Sequence, residues 1–328
     1  GMTAEIVCSV VCQLVIEDVH NPFALCLIDK AGSGKTIAIN FIKDIKGLTY
    51  MSSDFSPASF VSNIAARSAK QLEQIDLLPR VRWKTLLVKD MAPILADNDD
   101  TLRKRLDILD GEGYRTDSGV YGQRGYSGDY LFMFVAASTP FPGRVWKLMV
   151  GLGHRLFFLG IGSPTKTVDE LIAQTQGISF KVKEKECQAA TADMLRTVWK
   201  RTNRKVTWNH EANDKKVVRT LAQLADFLAR FRGDIFVHEE KWTKGETLVT
   251  TEPRIEDASR ANQCLYNLAR GHAVLCGRDH ITKEDVWTVV RVTFDTAPNP
   301  RPKVLRELLR KNGKITSGQM KDALGVSL

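Results

Sequence analysis

The chain has 328 residues, 43% of them hydrophobic and 26% charged, and carries a net charge of +9. That length suits one large domain or two to three smaller ones, and the composition is that of an ordinary globular protein. No apolar run reaches the roughly 18 to 20 residues of a membrane span, and the positive balance favours an anionic partner.

Gly1 ahead of Met2 reads as an expression scar, and Ala4 to Val19 is too acidic, at Glu5, Glu17 and Asp18, for a signal peptide. A cytoplasmic protein is therefore expected. Cys8 and Cys12 are spaced for one face of a helix. The six cysteines include no C-x-x-C pair, so neither structural zinc nor a disulfide framework is expected.

Phe23 to Ile28 (FALCLI) is a short apolar run that fits a buried parallel strand. The loop Asp29-Lys30-Ala31-Gly32-Ser33-Gly34-Lys35-Thr36 follows, then a helical pattern from Ile37 that stops at Gly47. Strand, glycine-rich loop and helix make the setting of a P-loop. Gly32, Ser33 and Gly34 let backbone N–H groups converge on phosphate oxygens. Lys35 reaches the outer phosphates of ATP, Thr36 binds Mg²⁺, and the helix N-terminus favours negative charge. The full pattern has Gly where this chain has Asp29.

Thr85 to Asp90 (TLLVKD) is an apolar strand ending in a carboxylate, and Asp90 is the candidate for the Mg²⁺ shell. Met91 follows where many ATPases carry the glutamate that activates water. Glu112, Asp110 or an acid among residues 97–100 are the alternatives for that base. Between Tyr114 and Tyr126 lies a stretch rich in Gly, Arg and Tyr that reads as a hairpin or loop. Its Arg115 and Arg124 suit nucleic-acid phosphates, while Tyr121 and Tyr126 suit base stacking. Tyr130 to Ala137 is another buried strand, tipped by Ser138 and Thr139, which suit positioning of the attacking water. Arg155 precedes a further apolar strand and is the candidate for stabilising transition-state charge.

Helices are expected over 168–176, 185–201 and 215–231, and a small hairpin over 236–251. From Lys181 to Thr220 eleven Lys and Arg face five acids, which suits a solvated helix face or a nucleic-acid surface. After Asn299-Pro300-Arg301-Pro302, a linker, residues 303–311 and 319–324 form two helices.

This order of parts resembles the AAA+ ATPases. Ser259 to Ala273 (SRANQCLYNLARGHA) looks like the lid helix of minichromosome-maintenance helicases and related phage or mobile-element ATPases, and Ile281 to Val286 (ITKEDV) matches their next lid helix, capped by Thr282. In that pattern Arg260 contacts phosphate. The last two helices resemble half of a winged-helix domain, whose recognition helix would come after them. The resemblance implies an α/β fold: a P-loop parallel sheet flanked by helices over residues 1–163, a mainly helical lid with an insertion over 164–298, and a two-helix segment over 299–328. It further implies ATP and Mg²⁺ as cofactors, a ring, and hydrolysis coupled to DNA remodelling or unwinding. A nucleotide-dependent switch that hydrolyses ATP poorly is the alternative, favoured by Asp29 and Met91; a DNA-binding protein with a vestigial P-loop is the third reading.

Overall fold

Four apolar stretches of extended backbone and one partly polar, half-buried edge strand assemble into one parallel sheet between two helical layers. The computed structural model describes residues 1–62, 68–119, 122–140, 143–152, 155–163, 166–176, 180–235, 237–242, 245–298 and 300–325. Helix α1 (Met2–Cys12) opens the chain and leads through a 3-10 turn to β1 (Ala24–Ile28), α2 (Lys35–Asn40) and β2 (Thr49–Ser52). Three short helices, α3 (Pro57–Phe60), α4 (Ala69–Ile75) and α5 (Leu77–Val81), precede β3 (Thr85–Val88). Helices α6 (Ala92–Leu95) and α7 (Asp99–Ile108) then lead to the hairpin β4 (Gly113–Ser118) and β5 (Gly122–Ser127). The core closes with β6 (Met133–Ser138), α8 (Gly143–Leu152) and β7 (Leu156–Gly160). Beyond it come α9 (Val168–Gln176), α10 (Phe180–Arg201), α11 (Lys215–Phe231), a second hairpin, β8 (Val237–Trp242) and β9 (Gly245–Thr250), then α12 (Ser259–Leu275) and α13 (Val286–Asp295). The last two helices are α14 (Arg301–Arg310) and α15 (Ser317–Leu324).

The sheet order is β2-β3-β6-β1-β7, every neighbour parallel. Alternate residues of the strands feed two cores. Leu25, Leu27, Val135 and Phe157 pack with residues of α1, α2 and α10 to α13, and this core runs unbroken from the sheet into the later helices. Cys26, Phe134, Ala136 and Phe158 pack on the other face with α5 to α8. Thus α2, following β1, and α8, following β6, leave adjacent strands toward opposite faces. Such a divergence opens a crevice at the C-terminal ends of the two strands.

Several boundaries differ from the sequence expectation. The helix after the P-loop is α-helical only to Asn40. Beyond it the ladder tightens to i→i+3 bonds (Ile42 N–H to Ile39, Lys43 N–H to Asn40, both 3.2 Å), and Asp44 at φ +58° stops the turn. The strand expected from Tyr130 begins at Met133, because the Tyr130 amide donates to Gly111 and Gly128 and closes the hairpin instead. The 3-10 turn before α13 starts, as expected, at Thr282, in a capping box with Asp285. Helices α14 and α15 replace the expected 303–311 and 319–324, the second capped by Thr316 with Gln319. Arg301 of α14 donates to the carbonyls of Phe231 and Gly233, and Arg306 pairs with Asp295, so the pair is anchored to the ends of α11 and α13.

The N-terminal helix crosses α12 at backbone distance. A Cβ built on Gly271 would lie 2.0 Å from the Ser9 carbonyl oxygen, so only glycine fits there. Cys8 and Cys12 are both buried in the same helix. Beside the crossing, His272 of α12 is hydrogen-bonded to Asp285 (2.6 Å) and Glu5 (2.9 Å), and Arg278 grips Asp285 with two nitrogens (2.7 and 2.9 Å). Burial opposes the imidazolium, but the two carboxylates outweigh it and hold the His272 pKa above the ordinary imidazole value.

Candidate active site

The glycine-rich loop read from the sequence as a P-loop sits at the C-terminal end of β1, on the crevice. Gly32 and Gly34 take φ +75° and +92°, the left-handed region that a side chain disfavours, and Gly34 caps α2. Asp29 keeps a negative φ, so the position does not need the glycine of the usual pattern. Its carboxylate is used instead. One oxygen accepts the Lys30 N–H (2.7 Å), and the other accepts the Ser163 N–H (3.1 Å) from the loop after β7. The Ser163 hydroxyl in turn donates to the Ser33 carbonyl (2.7 Å), so two bonds tie the P-loop to the neighbouring strand end. Nothing in the sequence pattern marked Ser163.

Lys35 is 9% exposed, and its ammonium donates to the carbonyls of Asp29 (2.7 Å) and Lys30 (2.6 Å) and to the Ser33 hydroxyl (3.3 Å). A buried ammonium must be hydrogen-bonded, and here the loop itself supplies the acceptors. Thr36 is exposed at the first turn of α2.

The other candidates at this edge lie on the next two strands. Ile28 pairs with Ser138, and the Asp29 amide donates to the Ser138 carbonyl (3.4 Å), so the β6 tip lies beside the P-loop. Ser138 is buried and its hydroxyl donates to the Thr139 carbonyl (2.7 Å); Thr139 is exposed. Asp90, beyond β3, is exposed and accepts the Ala92 N–H (2.9 Å). The Asp90 and Lys35 charges act in opposite directions on the buried Cys26 thiol of β1, whose pKa burial above all pushes up. Met91 is buried at 2% exposure, and its amide is bound to the Ala137 carbonyl (2.7 Å). A side chain at that position points into the core. Thr36 and Asp90 supply a hydroxyl and a carboxylate, oxygen donors of the hard type that Mg²⁺ prefers.

The two arginines lie elsewhere. Arg155 precedes β7 and forms a forked pair with Asp110 (2.7 and 2.9 Å), with Asp107 at 3.2 Å. Arg260, in the first turn of α12, binds the same Asp110 oxygen at 2.5 Å. Burial opposes the Asp110 charge, but the two guanidinium groups hold its pKa below the usual carboxylate value. Arg155 stands at the N-terminal end of β7, and a five-residue strand spans roughly 16 Å. Neither arginine is beside the P-loop of its own chain. Asp110, considered as a base from the sequence, is their common acceptor.

The hairpin β4–β5 also rises at that edge. In its register Arg115 faces Gly125 and Thr116 faces Arg124, so Arg115 and Arg124 occupy opposite faces of the ribbon. Arg115 is exposed; Arg124 is half-buried. Tyr126 does not stand free for stacking: its hydroxyl donates to Asp76 (2.8 Å) and its ring lies against Tyr130 (5.2 Å), which anchors the hairpin to the core. Tyr121 lies outside the described residues.

No protein-family model matches this chain, and no curated protein shows significant similarity to it. Among the described residues, no helix is long and apolar enough to cross a membrane.

Proposed function

We propose that this chain is an AAA+ ATPase that works as a ring and couples ATP hydrolysis to the remodelling or unwinding of DNA. The observation that carries the reading is the sequence of strand tips along one edge. The P-loop on β1, Ser138 and Thr139 on β6 and Asp90 after β3 stand on successive strands around the crevice. In this reading Lys35 and the amides of Gly32 to Thr36 bind the phosphates, and bound Mg²⁺ neutralises charge on the leaving phosphate. Thr36 and Asp90 hold the ion's shell, while Thr139 orients the attacking water.

The position of the arginines supports action between subunits. Arg155 and Arg260 share one carboxylate at the edge away from their own loop, so they reach a phosphate only in a neighbouring chain. A surface for such a neighbour is available on α9, where Val168, Leu171 and Ile172 are exposed and none of the helix's residues is buried. The lid assignment of α10 to α13 and the winged-helix likeness of α14 and α15 belong to the same proposal. The net charge of +9, exposed Arg115 and the hairpin support DNA as the polymer.

The test is the ATPase rate with and without single-stranded DNA, for wild type and Lys35→Ala. A DNA-stimulated rate that the substitution abolishes supports the motor. Buried Met91 favours the second reading, a switch that binds ATP with little turnover. Tight ATP binding without turnover, with or without DNA, selects that switch.

A further inference from the structure

The edge that carries the N-terminal ends of the strands holds a feature that the nucleotide site does not use. An open groove of about 450 Å³ is lined by Trp83, Trp199, Arg204, Lys205, Glu17 and Gly47, among others. Trp83, two residues before β3, is 42% exposed and holds φ +56°. Positive φ at a bulky residue is a genuine outlier, and such strain persists only where the surroundings impose it. Here the Trp83 amide is tied to the Leu131 carbonyl (2.8 Å) and the Lys84 amide to Val81 (2.9 Å). Across the groove, Asn203 and Arg204 take φ +49° and +63°, a left-handed turn that the Arg204 amide closes on the Trp199 carbonyl (3.0 Å). That turn brings an arginine and a second indole to the same walls.

The charge of the groove is positive. Glu17, the acid on its wall, is already paired with Lys205 (2.6 Å) and accepts a hydrogen bond from Thr207. Among the described residues Arg204 has no carboxylate partner, and Lys46, Arg82 and Lys200, each next in sequence to a lining residue, are exposed. The aromatic and cationic surface continues beyond the groove. Arg82 lies over the Tyr130 ring (4.9 Å), and Tyr130 packs on Tyr126 at the foot of the β4–β5 hairpin.

We propose that this groove is a single-stranded nucleic-acid subsite, with one base stacked on Trp83 and the flanking phosphates held by Arg204 and neighbouring cations. An exposed indole offers a face to any base, and cations at its side track the backbone; this pairing recurs in sequence-tolerant single-strand binding. A duplex has its base faces covered and cannot use the indole. The inference rests on the nucleic-acid part of the proposed function, because the groove shares the edge of the hairpin.

The test titrates an oligo-dT of about 20 nucleotides, longer than a single-fold binding site, into the full chain without ATP. Tryptophan fluorescence and the anisotropy of a labelled strand are followed. The expected result is quenching on binding, with affinity reduced roughly tenfold or more in both Trp83→Ala and Arg204→Ala. Arg204→Ala also lowers the slope of log affinity against log salt by about one, whereas Trp83→Phe keeps most of the affinity. Trp83→Gly, which the backbone favours, retains the wild-type melting temperature to within about 3 °C and still loses binding. Should Trp83→Ala fail to fold, Trp83→Gly and Arg204→Ala decide. Unchanged affinity in these variants overturns the subsite, and a loss confined to Arg115→Ala sends the strand to the hairpin alone. A wild type that hydrolyses ATP yet binds no oligo-dT also overturns it, while leaving the nucleotide site standing.

Discussion

At the C-terminal ends of the strands the chemistry is held by backbone: two left-handed glycines, a lysine folded onto its own carbonyls, and an aspartate that ties its loop to Ser163. At the N-terminal ends it is held by charge, with Arg155 and Arg260 both leaning on Asp110. The first arrangement is complete within one chain. The second is a pair of cations neutralised locally by a shared carboxylate, which the proposed function would exchange for a phosphate presented from outside. In the proposed ATPase a site divided in this way would make catalysis depend on assembly, and the two halves should fail differently when altered.

The largest difference is expected for Lys35→Ala, which removes measurable ATP turnover and ATP binding while leaving the melting temperature near wild type; isothermal titration and a phosphate-release assay read the two effects. Arg155→Ala is expected to lower turnover by about 10³-fold or more with ATP affinity retained. Mixing the two variants should restore part of the rate through intact interfaces. A mixture as inactive as its parts argues that Arg155 does not act across subunits. Asp110→Asn separates structure from chemistry at the same edge. It leaves two partly buried guanidinium groups short of a counter-charge, and a loss of about 2 kcal/mol in urea unfolding is expected.

A smaller effect comes from the ionic cluster on α12. The folded pKa of His272 is raised, so its contribution to stability is fully present below the ordinary imidazole value of about 6.5 and is lost as pH rises through the raised value. Asp285, lowered by His272 and Arg278 against its burial, acts oppositely and loses its contribution as pH falls through its lowered value. The melting temperature of wild type should therefore decline as pH rises above the ordinary imidazole value and through the raised one, and His272→Gln should flatten that decline. The smallest effect is expected for Asp29→Gly. It restores the usual P-loop glycine but deletes the bonds to Lys30 and Ser163, a cost of about 1 kcal/mol, with ATP affinity changed only a few-fold in the binding assay.

The sequence made the interior strands legible because they are buried on both faces and read as unbroken apolar runs. Edge strand β2 (TYMS) escaped notice, being short, partly polar and only half-buried. The helices between β2 and β3 are too short for a periodic signal. Local conformation was legible too: the glycine-rich turn after β1, the Thr282 cap, and both hairpins. The site's long-range partners were not. Tyr126 reads as a free aromatic until Asp76, fifty residues earlier, takes its hydroxyl. Arg155 and Arg260 lie far apart in sequence, and no spacing rule brings both to Asp110. Trp83 and Trp199 reach one groove only because α10 is folded back beside the sheet.

The crossing of α1 and α12 has a consequence for how the protein is made. The apolar helix α1 is synthesised before the surface it must cover, around Gly271, which is translated roughly 260 residues later. At about 5 to 20 residues per second, α1 waits on the order of tens of seconds with its sticky side uncovered.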